Sequence, residues 1–223
     1  MRRSSRQQDA APTSAERAVQ VRPRRSILKQ LEVREVPLGE VRDLIEREHY
    51  THSCPAVATH AFGVYLRDRL EGAAVLTTGA ARAHRVLAAA SREDVVTLSR
   101  LWLSDQLPKN AESRVLGVIV RHLKREGRFK ALVTFADPAA GHNGGIYRAA
   151  GFTYLGRTQP ETYLLIDGKP CHPRSVSSAY GSNHAGHLSR TGIHAKRVPA
   201  APKHRYVAIL DPAWRWRIRE RAV

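Results

Sequence analysis

The chain has 223 residues, enough for one well-filled α/β core and too few for two independent domains of ordinary size. Its 37 Lys and Arg against 20 Asp and Glu, a formal charge of +17, exceed what folding requires and point to a polyanionic partner. There is no run of 18 apolar residues, no apolar stretch behind Arg2, Arg3 and Arg6, and no Cys-x-x-Cys pairing of Cys54 and Cys171, which argues against a membrane span, a secretory leader or a disulfide framework and fits a reducing cytoplasm.

The positive charge is uneven. Residues 1–30 carry 8 basic and 2 acidic side chains, residues 31–167 carry 18 and 16, and residues 168–223 carry 11 and 2. A nearly neutral middle flanked by basic ends suggests a folded core whose appended segments follow a phosphate backbone.

Residues 1–26, rich in Arg, Ser, Gln, Ala and Pro without apolar periodicity, read as a disordered basic arm ahead of one catalytic domain at 27–223. From Leu31, LEVREV alternates as a half-buried strand, and VRDLIEREHY has helical spacing that ends near His49 and Tyr50. AFGVYLRDRLEGAAVLTTG reads as a hairpin turning around Asp68 to Glu71, and DVVTLSRLWLSD as another strand. AESRVLGVIVRHLKREG is the strongest helix, with apolar residues on one side, Glu112 in its first turn and Gly127 as its stop. FKALVTFAD is a buried strand, NGGIYRAAGF a short helix, and FTYLGR and TYLLID further strands. Residues 168–203 show no periodicity and read as a basic insertion before the strand KHRYVAIL, and residues 211–223 form a basic C-terminal segment.

LSRLWLSDQLPKNAESRVLGV, FADPAAGHNGGIYRAAGF and the late KHRYV together resemble the Mom adenine-modification proteins of bacteriophages, within the GNAT superfamily of N-acetyltransferases, over about residues 45–210. The resemblance implies a GNAT-like mixed central sheet flanked by helices. It also implies a transferase that converts the N6 amine of adenine in DNA to a carbamoylmethyl derivative and so protects phage DNA from restriction. By matched motif it places Arg100, Ser113, Asp137 and Tyr147 among the catalytic residues, with His49 and Tyr50 as a further pair. One departure stands out: where acetyltransferases carry a glycine-rich pyrophosphate loop, this chain has LPKNAESR, so that Lys109, Asn110 and Arg114 at the helix start are the donor-binding candidates.

The chemistry suits these residue types. Adenine's exocyclic nitrogen is a poor nucleophile, and a carboxylate at a strand end, Asp137, can orient it and take its proton, although Asp-Pro is also a turn signal. A tyrosine with a pKa of about 10 stays protonated at neutral pH and can supply the leaving group's proton, although Tyr147 could equally be a core aromatic. Arg100, in a strand suited to burial, needs a partner there: a donor carbonyl, a phosphate or an acid. Ser113 also reads as a first-turn hydroxyl bonding the backbone.

Double-stranded DNA is the expected partner, met by His49, Tyr50, Arg174, Tyr180, Arg190, Lys196, Arg197, Lys203 and Arg205. The donor is either a glycyl group, carried by glycyl-tRNA, or acetyl-CoA; a glycyl amide is a constitutional isomer of the carbamoylmethyl product. His49-x-x-His52-x-Cys54 and His184-x-x-His187 match no zinc pattern, which leaves a metal such as iron, like a dimeric state, undecided. An ordinary acetyltransferase acting on a protein or small-molecule amine is the alternative, and a non-catalytic basic binding protein the third reading.

Overall fold

A computed structural model describes residues 24–78 and 82–219, so most of the N-terminal arm and the last four residues lie outside the described residues. Helix α1 (Arg24–Gln30) runs into β1 (Leu31–Glu35) and α2 (Leu38–Glu48). β2 (His60–Leu66) and β3 (Arg69–Thr77) form the expected hairpin. Its turn is the two residues Arg67 and Asp68, both at positive φ, which matches the twist of the flanking strands.

β4 (Val95–Leu103) leads to α3 (Ala111–Glu126), which buries Val115, Leu116, Ile119 and Leu123 on one face. The helix stops at Gly127, whose left-handed backbone lets its N–H reach Leu123 O. β5 (Ala131–Ala136), α4 (Gly145–Ala149) and β6 (Thr153–Arg157) follow, and β10 (His204–Ile209) returns between β5 and β6.

The seven-stranded sheet has the order β1-β2-β3-β4-β5-β10-β6, and every pairing is antiparallel except β4 with β5. α3 and α4 cover one face around Leu98, Leu116, Leu132 and Tyr206. On the other face α2 packs on Ala73 and Val75, while the 83–90 segment and the C-terminal turn Pro212–Arg217 pack on Val95, Val133 and Val207. The mixed central sheet flanked by helices, expected from the sequence, is the architecture observed.

Two strand irregularities position the site. The parallel β4–β5 pairing ends at Leu98↔Thr134. On the opposite edge of β4, Leu98 pairs with Leu76 but Arg100 pairs with Val75, so Ser99 is an extra residue, a bulge. Beyond it β4 follows β3 while β5 stops at Ala136, and the sheet splits open between them.

The late segment departs from the sequence reading. β7 (Glu161–Ile166), expected as an ordinary further strand, pairs with β8 (Lys169–Cys171) and β9 (Ala195–Ala200) in a separate sheet of order β8-β7-β9. α5 (Pro173–Tyr180) and α6 (Ala185–Arg190) complete a unit with its own core of Leu164, Ile166, Val176 and Leu188. Elements of three to eight residues with at most two buried positions each among the described side chains are too short to show periodicity, which is why 168–203 read as a basic insertion without a pattern. Among the described residues no helix is long and apolar enough to cross a membrane.

Candidate functional site

The split in the sheet gathers side chains from five stretches of chain, at 49–53, 99–100, 137–147, 163 and 203. Asp137 follows the last residue of β5; its Oδ1 accepts the Ala139 N–H at 3.0 Å, capping the next turn, while its Oδ2 lies 3.5 Å from Lys203 Nζ. The turn-cap reading of Asp137 accounts for one oxygen, and the other faces Lys203. Lys203 also donates to the Tyr163 hydroxyl at 3.2 Å. Burial alone would lower the Lys203 pKa, but the Tyr163 phenol and the Asp137 carboxylate outweigh it and hold the ammonium above its ordinary value.

Tyr50 is the common neighbour. The surrounding protein and then the Asp137 charge push its phenol above 10, and Lys203, Arg100 and Tyr163 act on it as well. Its ring meets His142 edge-on with centroids 5.1 Å apart and lies 4.5 Å from the His49 ring. His49 is buried, and its pKa falls from 6.5 to about 4, chiefly through burial and then through the charge of Arg100. The Thr51 N–H donates to His49 Nδ1 at 3.2 Å, which makes Nδ1 an acceptor and places the proton of the neutral ring on Nε2.

Arg100 fixes this segment. Its Nε donates to Ser53 O at 2.7 Å, one Nη to Ser53 Oγ at 3.0 Å and the other to Ser99 O at 2.7 Å. The guanidinium thus ties the 49–54 loop to the bulge in β4, which answers the need for a partner in a half-buried strand without an acid.

Tyr147 projects from α4 and is 8% exposed. Burial raises its pKa; the neighbouring Thr134 hydroxyl acts the other way, and Tyr50 and Tyr206 add to the rise. The phenol therefore stays protonated at neutral pH. α4 is held by a close contact: Gly144 sits at φ 75° against the Tyr206 ring, where a Cβ would overlap the ring atoms. Tyr206 in turn donates to Asn143 O at 2.9 Å.

The donor-binding candidates lie at the start of α3. Asn110 precedes the helix at φ 73°, the left-handed conformation for which Asn is the best residue after Gly, and no side chain caps the helix. The missing glycines of LPKNAESR are thus partly replaced by Asn110. Lys109 is exposed beside it, and Ser113 Oγ donates to Asn110 O at 3.1 Å, the backbone-bonding alternative for that hydroxyl. Arg114 Nε is buried without a hydrogen-bond partner.

The basic candidates divide. Arg190, Lys196 and Arg197 are exposed on the small unit, as is Tyr180 at the end of α5; the Arg174 side chain lies outside the described residues. Lys203, expected on DNA, is occupied by Asp137 and Tyr163. Arg205, also expected there, is 8% exposed inside the β10 packing, where it donates to Leu155 O at 3.3 Å, so it is not placed to meet a phosphate. Trp102 packs against the α2 side of the core rather than offering a face to a base. The two histidine motifs do not converge either: among the described residues, neither brings three ligand atoms together. Tyr163 and His142 were missed, since nothing local in TYLLID or GHNGG marks them and only the tertiary fold brings them to Tyr50.

The Mom protein family matches residues 30–222. The methylcarbamoylase mom of Escherichia phage Mu is 25% identical over 195 residues, covering 85% of this chain and 80% of that protein. Solved structures that resemble the chain include an N-acetyltransferase from Staphylococcus aureus Mu50, with a TM-score of 0.46 and 14% identity over 81% of this chain and 97% of that one. Another is a GNAT family acetyltransferase from Elizabethkingia anophelis with acetyl-CoA bound, with a TM-score of 0.44 and 9% identity over 81% of this chain and 98% of that one.

Proposed function

The chain belongs to the Mom protein family, and from that premise we propose that it is a transferase acting on the N6 amine of adenine in double-stranded DNA, leaving a carbamoylmethyl group that protects phage DNA from restriction. The observation that carries this reading is the Asp137 carboxylate at the end of β5, held 3.5 Å from Lys203 Nζ where the sheet splits, together with the half-exposed Tyr50 ring set edge-on to His142 at 5.1 Å.

The target amine lies inside the base stack, so the adenine is flipped out of the duplex into this split. The half-exposed Tyr50 and its partner His142 offer aromatic surface against which the base can lie. Asp137 accepts a hydrogen bond from the amine and takes its proton as the N6–carbon bond forms at the donor carbonyl. Tyr147 gives its proton to the departing group as the bond between that group and the carbonyl carbon breaks, so the site ends with one proton moved in and one moved out. Lys203 holds the Asp137 carboxylate in place, and Arg100 holds the loop bearing His49 and Tyr50.

We assign the donor as a glycyl group carried on tRNA. Acyl transfer from it yields a glycyl amide that already contains every atom of the carbamoylmethyl product and reaches it by rearrangement, whereas an acetyl donor needs an added nitrogen. The second reading, acetyl transfer from coenzyme A to a protein or small-molecule amine, is favoured by the uncapped α3 N-terminus, which suits a pyrophosphate. Incubating the purified protein with duplex DNA and either labelled glycyl-tRNA or labelled acetyl-CoA separates the two. Label from glycyl-tRNA in adenine nucleosides supports the first reading; label only from acetyl-CoA, and only on other amines, contradicts it.

A further inference from the structure

At the other end of α3 a second group of side chains converges. Glu35 ends β1, His60 begins β2, and His122 and Glu126 lie one turn apart on α3. His60 Nε2 is 3.1 Å from Glu126 Oε2 and 3.9 Å from Glu35 Oε1, and His122 Nε2 is 3.1 Å from Glu35 Oε2. Glu35, His60 and His122 each offer one ligand atom within 4.8 Å of the others. We propose that Glu35, His60 and His122 form a three-ligand binding site for a divalent transition cation of the zinc type, which ties β1 and β2 to the end of α3, with Glu126 adding a second carboxylate beside His60.

Three features favour a cation over a hydrogen-bonded network. Donor atoms around a tetrahedral zinc, at bonds of about 2.0–2.1 Å, stand roughly 3.3 Å from one another; the 3.1 Å between His122 and Glu35 matches this, and the 3.9 Å between His60 and Glu35 is somewhat wider. Glu126 occupies the last turn of α3, where the negative end of the helix repels a carboxylate, so its placement against His60 calls for a positive charge. Two glutamates also give the group two negative charges, which one divalent ion neutralises without charging either imidazole.

The scaffold is suited to holding such an ion. His60 is 7% exposed, stacked parallel to Phe62 at 6.0 Å and edge-on to Phe129 at 5.9 Å, so its ring cannot turn away from the cluster. The His122 ring is held against Phe62 at 5.2 Å. Part exposure of Glu35, His122 and Glu126 leaves a path for entry from solvent. His122 sits eleven residues along α3 from Ala111, roughly 16 Å at 1.5 Å per residue, so the site is separate from the donor end of the helix.

The test uses the full chain, stripped with a chelator and dialysed into metal-free buffer. Added Zn2+ should bind at one equivalent by elemental analysis and raise the melting temperature by about 5–10 °C at a hundredfold excess over its dissociation constant. Co2+ in its place should give the visible absorption of a four-coordinate nitrogen and oxygen site. His122→Gln and Glu35→Gln, both at positions open to solvent, should each lose the Co2+ absorption and the melting shift. Should one of them fail to fold, the other still decides. No stoichiometric binding and no melting shift in the wild-type chain overturns the proposal, as does an unchanged Co2+ spectrum in both variants, which would put the metal on other histidines.

Discussion

The Asp137 carboxylate lies 3.5 Å from the Lys203 ammonium because β5 and β10 run antiparallel in a register that pairs Ala136 with His204, so the next residue out on each strand faces the other. An acid and a base far apart in sequence are thus fixed by strand register. Asp137→Asn keeps the size and removes the charge and the basicity; turnover should fall on the order of a hundredfold or more, while the melting temperature changes little. Lys203→Met should also lower turnover, by roughly tenfold, since it frees the carboxylate without removing it. Steady-state rates and thermal melts of both variants check this, and equal losses would make Lys203 as important as the carboxylate.

Tyr147 and Gly144 separate chemistry from placement. Tyr147→Phe keeps the ring packed on Phe152 and Tyr206 and removes only the acid, so the protein should melt normally and lose activity about a hundredfold. Gly144→Ala should instead cost stability, on the order of 2–4 kcal/mol, from a strained left-handed backbone and a Cβ forced against the Tyr206 ring. Denaturant unfolding of the two variants distinguishes them.

His49 makes stability depend on acidity. In the folded protein its imidazole binds a proton only near pH 4, whereas in the unfolded chain it does so near 6.5. Between these values the unfolded state holds more protons, so lowering the pH favours unfolding. The contribution is complete above about pH 6.5 and is lost as the pH falls toward 4. Melting temperatures across pH 7 to 4.5 should decline less steeply in His49→Gln than in the wild type, and parallel curves would mean that this residue does not carry the effect.

The exposed cations of the small unit should act on the phosphate backbone. Replacing Arg190, Lys196 and Arg197 by Gln should weaken DNA binding and make the slope of log affinity against log salt shallower by about 2–3, at roughly 0.9 for each phosphate that is no longer neutralised. Nitrocellulose or fluorescence titrations at several salt concentrations measure the slope. An unchanged slope places DNA on another face.

The main sheet was legible in the sequence because its strands and α3 are long enough to show alternation or helical period, and their apolar faces are the faces that pack. The small unit was not, because α5 and α6 contribute single buried residues, Val176 and Leu188, and β8 and β9 only the part-buried Cys171 and Ala195, to a shared core that only the fold assembles. The same reason divides the site. Asp137, Tyr147 and Arg100 sit within motifs that read along the chain, and His142 sits beside two of them in the same motif without a local mark, but Tyr163 and Ser53 reach them from elsewhere. Lys203 and Arg205 look alike as cations in KHRYV, but Lys203 lies ahead of β10 and reaches the Asp137 carboxylate, whereas Arg205 lies inside β10, at the irregularity in its pairing with β6, and packs beside Leu155.

The most direct measurement is mass spectrometry of nucleosides from the DNA of cells expressing the wild-type gene, beside cells expressing Asp137→Asn. The account predicts a carbamoylmethyl-adenine nucleoside in the first and its near absence in the second. Unmodified adenine in both, with soluble wild-type protein present at a normal level, would contradict it.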